Sequence, residues 1–117
     1  MAHTIVGTPY YLSPELCEEK PYNHKSDIWS LGCVLYELCT YRHPFEAKNQ
    51  GGLIMKIVRG VFNPISTKYS KDLQEMVRVL LLKDHRRRPA IDDILGMSCM
   101  KHKMTQMGYG ANDHLLT

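Results

Sequence analysis

Ser26-Asp27-Ile28-Trp29-Ser30-Leu31-Gly32-Cys33-Val34-Leu35-Tyr36-Glu37-Leu38-Cys39 is the stretch on which the fold turns. Ser26 and Asp27 read as a helix cap and an acidic first turn. From Ile28 to Cys39 only Ser30 and Glu37 interrupt the apolar pattern. A helix apolar on every side belongs inside a core rather than on its surface. Gly32 in its middle costs about 1 kcal/mol against Ala, so close packing by another segment is the expected compensation.

Upstream, Gly7, Pro9, Pro14, Pro21 and Asn23 make residues 1–25 an extended loop, with one helical turn expected after Pro14. Downstream, residues 43–52 form a loop. Leu53, Ile54, Ile57 and Val58 give a short amphipathic helix that Gly60 can end. Ser70 caps a third helix, whose apolar set Leu73, Met76, Val77, Leu80 and Leu81 follows the i, i+3, i+4, i+7, i+8 template. A basic turn, His85-Arg86-Arg87-Arg88-Pro89, leads to a short helix over 91–97 with Ile91, Ile94 and Leu95 on its apolar face. Beyond it, Met97, Met100, Met104 and Met107 recur at helical spacing beside Lys101, His102 and Lys103. That stripe either folds back onto the domain or offers an adaptable face to a partner; the first reading is preferred. Residues 1–97 thus form the structured unit, and 98–117 a tail, helical to about 107 and unstructured after it.

The chain has 117 residues, 44% of them hydrophobic, and a net charge of +3, which together exclude a disordered tail. No apolar run nears the ~18 residues of a membrane span, and the N-terminus is no signal peptide. Cys17, Cys33, Cys39 and Cys99 show no disulfide framework, so a reducing compartment is expected. Cys39 with His43, or Cys99 with His102, lacks the four-ligand spacing of zinc, and no metal site is expected. Three successive arginines are too few for a nucleic-acid face.

Three landmarks in order carry a family resemblance. Gly7-Thr8-Pro9-Tyr10-Tyr11-Leu12-Ser13-Pro14-Glu15 resembles the end of a protein-kinase activation segment, with Ser13-Pro14-Glu15 where Ala-Pro-Glu usually stands. Asp27-Ile28-Trp29-Ser30-Leu31-Gly32 resembles the start of the central helix of the kinase C-lobe, and Arg88-Pro89 the Arg-Pro before its last helix. Lys20-Pro21-Tyr22-Asn23 and Leu35-Tyr36-Glu37-Leu38-Cys39-Thr40 are most similar to NIMA-related serine/threonine kinases. The implied fold is all-α over this chain, the C-terminal helical lobe of a two-lobed α+β parent.

The resemblance also implies roles. Glu15 pairs with Arg88, tying the activation segment to the loop before the last helix; a planar guanidinium suits that task. Asp27 braces the catalytic loop, and Trp29 and Gly32 belong to the structural set. Val34 and Leu38 would face the same absent neighbour as Gly32. Thr4 matches an activation-loop phosphorylation position; from the residues alone it is a loop threonine. Thr8 would contact the catalytic aspartate of the family. Ile5, Pro9 and Leu12 resemble the lining of a substrate pocket, and Glu37 aligns with a carboxylate that reads substrate arginine. As a lone helix carboxylate, Glu37 has an equal claim to a structural role.

Phosphoryl transfer needs a Gly-rich loop, a strand lysine paired with a helix glutamate, an HRD-type base with its Asn, and a DFG aspartate. None occurs in the 117 residues, and Asp84-His85-Arg86 lies too late to serve as HRD. Catalytic residues are therefore expected elsewhere, ATP and Mg2+ belong to the parent kinase, and Met1 falls inside the activation segment. The chain reads as a kinase C-lobe fragment, expected to be inert alone, with protein substrates or a full-length kinase as partners. Membrane and nucleic acid are not expected partners, and the location is cytoplasmic, cytoskeletal by resemblance. The rivals are a non-catalytic interaction module derived from a kinase, and a decaying gene copy.

Overall fold

The computed structural model describes residues 9–108, so the expectations at Thr4, Ile5 and Thr8, and those beyond 108, lie outside the described residues. The first helix, α1 (Pro14–Cys17), opens on a proline, whose missing N–H is no loss at that position. Glu19 then turns the chain with φ 60°, and the Lys20 N–H closes the turn on the Glu15 carbonyl at 2.9 Å.

The central helix α2 (His24–Thr40) begins before the expected Ser26. Its cap is Asn23, whose side chain accepts from the Lys25 N–H at 2.8 Å, while the Ser26 hydroxyl accepts from the Asn23 N–H at 3.4 Å. Asp27 is left in the first turn, accepting a hydrogen bond from the Tyr22 hydroxyl. The helix ends at Tyr41, in the left-handed region with φ 59°.

Helix α3 (Gln50–Arg59) also starts earlier than expected. Asn49 caps it by accepting from the Gly52 N–H at 2.8 Å, so Gly51 and Gly52 are helical rather than loop. Gly60 ends it at φ 70°. Helix α4 (Lys71–Leu80) has Ser70 as its cap, accepting from the Leu73 N–H at 3.1 Å. A 3-10 turn (His85–Arg87), α5 (Ile91–Leu95) and α6 (Ser98–Gln106) complete the order. Every regular element among the described residues is helical.

Helix α1 packs on α3, α2 on α4, the 3-10 turn on α2, and α5 on α6. The main core gathers Trp29, Cys33, Tyr36, Phe45, Leu53 and Ile57 with their neighbours, and Trp29 stacks on Phe45 at 5.5 Å between ring centroids. A second cluster joins Ile28, Met76, Leu80 and Ile94, with Met97, Cys99 and Met100 packed against it. The methionine stripe is therefore turned inward at its start, while Met107 is exposed.

Three expectations need correcting. A Cβ at Gly32 would lie 2.8 Å from Leu80 Cβ and 2.9 Å from Leu81 Cδ2, so the segment pressed against this glycine is α4, within the chain. Helix α2 is not enclosed on all sides: Leu31, Val34 and Leu38 are 43%, 40% and 70% exposed along one stripe. On α5, Ile94 is buried, but Ile91 and Leu95 are exposed, because only one edge of that short helix meets the core.

Candidate functional site

Arg88 is 1% exposed, and every hydrogen-bonding nitrogen of its guanidinium is used. Nη1 and Nη2 each donate to one oxygen of Glu15 at 2.8 Å, the bidentate arrangement a planar fork allows. Nε donates to the Leu82 carbonyl at 2.7 Å, Nη1 to the Lys25 carbonyl at 2.9 Å and Nη2 to the Lys83 carbonyl at 3.1 Å. The Lys25 ammonium returns a hydrogen bond to the Arg88 carbonyl at 2.5 Å. The Trp29 ring covers the guanidinium, whose carbon lies 4.9 Å from the ring centroid.

Glu15 carries a third partner, the Ser26 hydroxyl, which donates to Oε2 at 2.8 Å. Burial alone would push this carboxyl upward. The hydrogen bonds from Arg88, the backbone and Ser26, with the arginine charge, outweigh it and hold the carboxyl at about 2. One buried charge pair thus fastens α1, the start of α2 and the segment before α5 into a single unit. Pro9 and Leu12, upstream of α1, are half buried, with the Leu12 N–H on the Pro9 carbonyl at 3.3 Å.

Glu37 lies in a second cluster and has internal partners on both carboxylate oxygens. The Tyr11 hydroxyl donates to Oε1 at 2.7 Å, and His43 Nδ1 meets Oε2. Tyr10 stacks on the His43 ring at 3.6 Å between centroids. The hydrogen bond to Glu37 is the main cause that raises the Tyr11 phenol above its ordinary value. The clustering of Tyr10, Tyr11 and His43 around Glu37 has no signature in the sequence, because Tyr11 and Glu37 are 26 positions apart and no local pattern spans that gap. The structure brings Glu15, Ser26, Trp29 and Arg88 together, and leaves Glu37 and Asp27 apart from them, with Tyr11 and Tyr22 as their respective partners.

Ser13 and Trp29 each bury a polar atom, Oγ and Nε1, that has no hydrogen-bond partner among the described residues. No three His, Cys, Asp or Glu side chains among the described residues converge as a metal site, and no helix there is long and apolar enough to cross a membrane.

Comparison with known proteins agrees with this geometry. The protein kinase domain family matches residues 1–100. Mouse serine/threonine-protein kinase Nek1 is 57% identical over 95 residues, covering 81% of this chain and 8% of Nek1. Human serine/threonine-protein kinase Nek5 is 55% identical over 95 residues, covering 81% of this chain and 13% of Nek5. The twitchin kinase region of C. elegans superposes with a TM-score of 0.73 at 26% identity, covering 78% of this chain and 17% of that one. The chain therefore spans a small part of the relatives it matches, and that part is helical in its described residues. On family match, identity and fold together, this chain belongs to the protein kinase domain family, as a C-lobe portion similar to that of the Nek serine/threonine kinases.

Proposed function

We propose that this chain supplies the activation-segment anchor and substrate-docking platform of a NIMA-related serine/threonine kinase, whose phosphoryl-transfer residues stand outside it. The observation that carries this reading is the buried Glu15–Arg88 pair, which fixes the segment after Thr8 against the rest of the lobe. Thr8 is assigned to the contact with the catalytic aspartate of the complete kinase, and Thr4 to activation-loop phosphorylation. Ile5, Pro9 and Leu12 are assigned to the wall facing the substrate residue beyond the phosphoacceptor. Glu37 is assigned to holding Tyr11 and His43 first, and to reading a substrate cation only after those partners are displaced.

ATP and Mg2+ are assigned to the remainder of the kinase, since the motifs that hold them do not occur in this sequence. This chain's own residues supply position, not proton or phosphoryl transfer. Its four cysteines are free, which suits a reducing cytoplasm.

The test is complementation. The region of mouse Nek1 that precedes the match is fused ahead of this chain and assayed on casein with radiolabelled ATP. The fusion is expected to phosphorylate casein and the unfused chain to be inert. A folded but inactive fusion overturns the proposal, as does labelling by the unfused chain freed of contaminating kinase.

A second reading, a non-catalytic interaction module, is favoured by the exposed stripe Leu31, Val34 and Leu38. It requires the purified chain to be a folded monomer that binds a full-length kinase. A chain without a cooperative thermal transition excludes it.

A further inference from the structure

Beside the Glu15–Arg88 pair the surface opens into a bowl of about 680 Å3, bounded by α1 and its following turn on one side and the 3-10 turn on the other. Lys20, Lys83, Arg86 and Arg87 line it, against the carboxylates of Glu15, Glu18 and Asp84. Most of these charges cancel locally. Glu15 is consumed by Arg88, Asp84 pairs with Arg86 at 3.2 Å, and Glu18 lies 3.9 Å from the Lys20 ammonium. The side chains of Lys83 and Arg87 have no ion-pair or hydrogen-bond partner among the described residues. The bowl therefore keeps two uncompensated positive charges, with the His85 ring on the same rim.

The segment that carries these cations is held in place. Arg88 binds the carbonyls of Leu82 at 2.7 Å and Lys83 at 3.1 Å from beneath, and the Arg87 N–H bonds the Asp84 carbonyl at 3.0 Å. The Lys83 stem rests against the end of α3, where a Cβ on Gly60 would lie 3.0 Å from Lys83 Cβ. Two exposed, unpaired cations on a braced backbone at a concave wall match a phosphate monoester, which carries about two negative charges near neutral pH.

We propose that this bowl binds a phosphoserine or phosphothreonine on a protein segment, with Lys83 and Arg87 as its charge partners. Two free cations are too few to track successive nucleic-acid phosphates or to hold an anionic membrane, which takes clusters of about four to eight. A concave bowl with Leu82 and lysine stems in its wall suits a peptide flanking one phosphate. The kinase family's own reaction makes that chemistry, so the choice of a protein source rests on the function proposed above. Phosphate recognition itself does not.

The full chain is titrated by fluorescence anisotropy with a short labelled Gly/Ala peptide bearing one phosphoserine, and with its unphosphorylated twin. The phosphorylated peptide is expected to bind at least about tenfold tighter, with inorganic phosphate and added salt both weakening it. Lys83→Gln/Arg87→Gln is expected to remove that difference without altering the circular dichroism or thermal transition. Asp84→Asn/Arg86→Gln, which removes both members of a compensated pair and leaves the net charge of the bowl unchanged, is expected to keep most of it. Equal binding of the two peptides overturns the proposal, as does a double variant that binds like the parent. Tighter capture of single-stranded DNA or anionic vesicles through the same two residues also overturns it. An inactive casein fusion together with intact phosphopeptide binding would sink the kinase reading and leave this site standing.

Discussion

Glu15→Gln tests the central pair directly. The substitution keeps the side chain's shape but removes the charge that faces a guanidinium only 1% exposed. One oxygen of glutamine can still accept from Arg88, whereas its amide group then points donor against donor. Removing one partner of a buried pair costs about 3–5 kcal/mol, and the three carbonyls that still receive Arg88 place this case at the lower end. A second route gives a similar figure. The Glu15 carboxyl is held at about 2, against an ordinary 4.5, a gap worth on the order of 3 kcal/mol. Because the folded value lies below the unfolded one, this stability is fully present above the ordinary carboxyl range. It drains as pH falls from about 4.5 towards 2. The assay is urea unfolding followed by fluorescence of Trp29, the single tryptophan, fully buried over the Arg88 guanidinium. With a slope of about 1.5 kcal/mol per molar urea, the midpoint at neutral pH should drop by about 2 M, and the Glu15 share of the acid-dependent loss should vanish from the variant. Arg88→Met combined with Glu15→Gln should cost at least about 2 kcal/mol less than the two single changes added. A midpoint drop below about 0.5 M, or a variant that keeps the parent's acid sensitivity, refutes the reasoning.

Ser13→Ala should raise the thermal midpoint, by about 1 kcal/mol of stability, since it deletes a buried hydroxyl that has no partner among the described residues; an unchanged or lowered midpoint counts against this. Gly32→Ala should lose about 1–3 kcal/mol despite alanine's helix preference, because the new methyl would press on Leu80 and Leu81; calorimetry showing a gain would contradict the packing. Burial, then the Glu37 charge, pushes the Cys33 thiol up to about 12, so an aromatic disulfide reagent should reach Cys33 only at the rate of unfolding; prompt reaction there under native conditions would contradict its burial.

The elements most legible in the sequence are those whose signal is local. Helix α4 needs only its Ser70 cap and the spacing of its apolar residues, and its helical bounds follow that pattern. Helix α2 starts ahead of the expected Ser26, whose hydroxyl answers two demands. It closes the box on Asn23 and also donates to Glu15, 11 residues upstream. The glycines that open α3 look like loop by propensity, yet the Asn49 cap offsets their cost. Ile91 and Leu95 follow a helical pattern too, but pattern cannot say whether a neighbour exists to cover them. For the site, the pairing of residues 15 and 88 came from resemblance. Its depth came only from the fold: carbonyls from Lys25, Leu82 and Lys83 converge on one guanidinium from two stretches of chain. The Tyr11–Glu37–His43 cluster had no sequence signature, since aromatic and acidic residues at such separations are common by chance.

The sequence separation of 73 between Glu15 and Arg88 also sets a clock. A ribosome adding roughly 5–20 residues per second needs about 4–15 s to make the arginine after the glutamate. Throughout that interval α1 and α2 exist without the group that fastens them, and the Trp29 ring has no guanidinium to cover. Nascent chains halted before residue 88 should therefore be rich clients for chaperones, and those extended past it should be released. The last basic turn would then act as a latch on biosynthesis, so that truncations on either side of it differ more in cellular abundance than their lengths suggest.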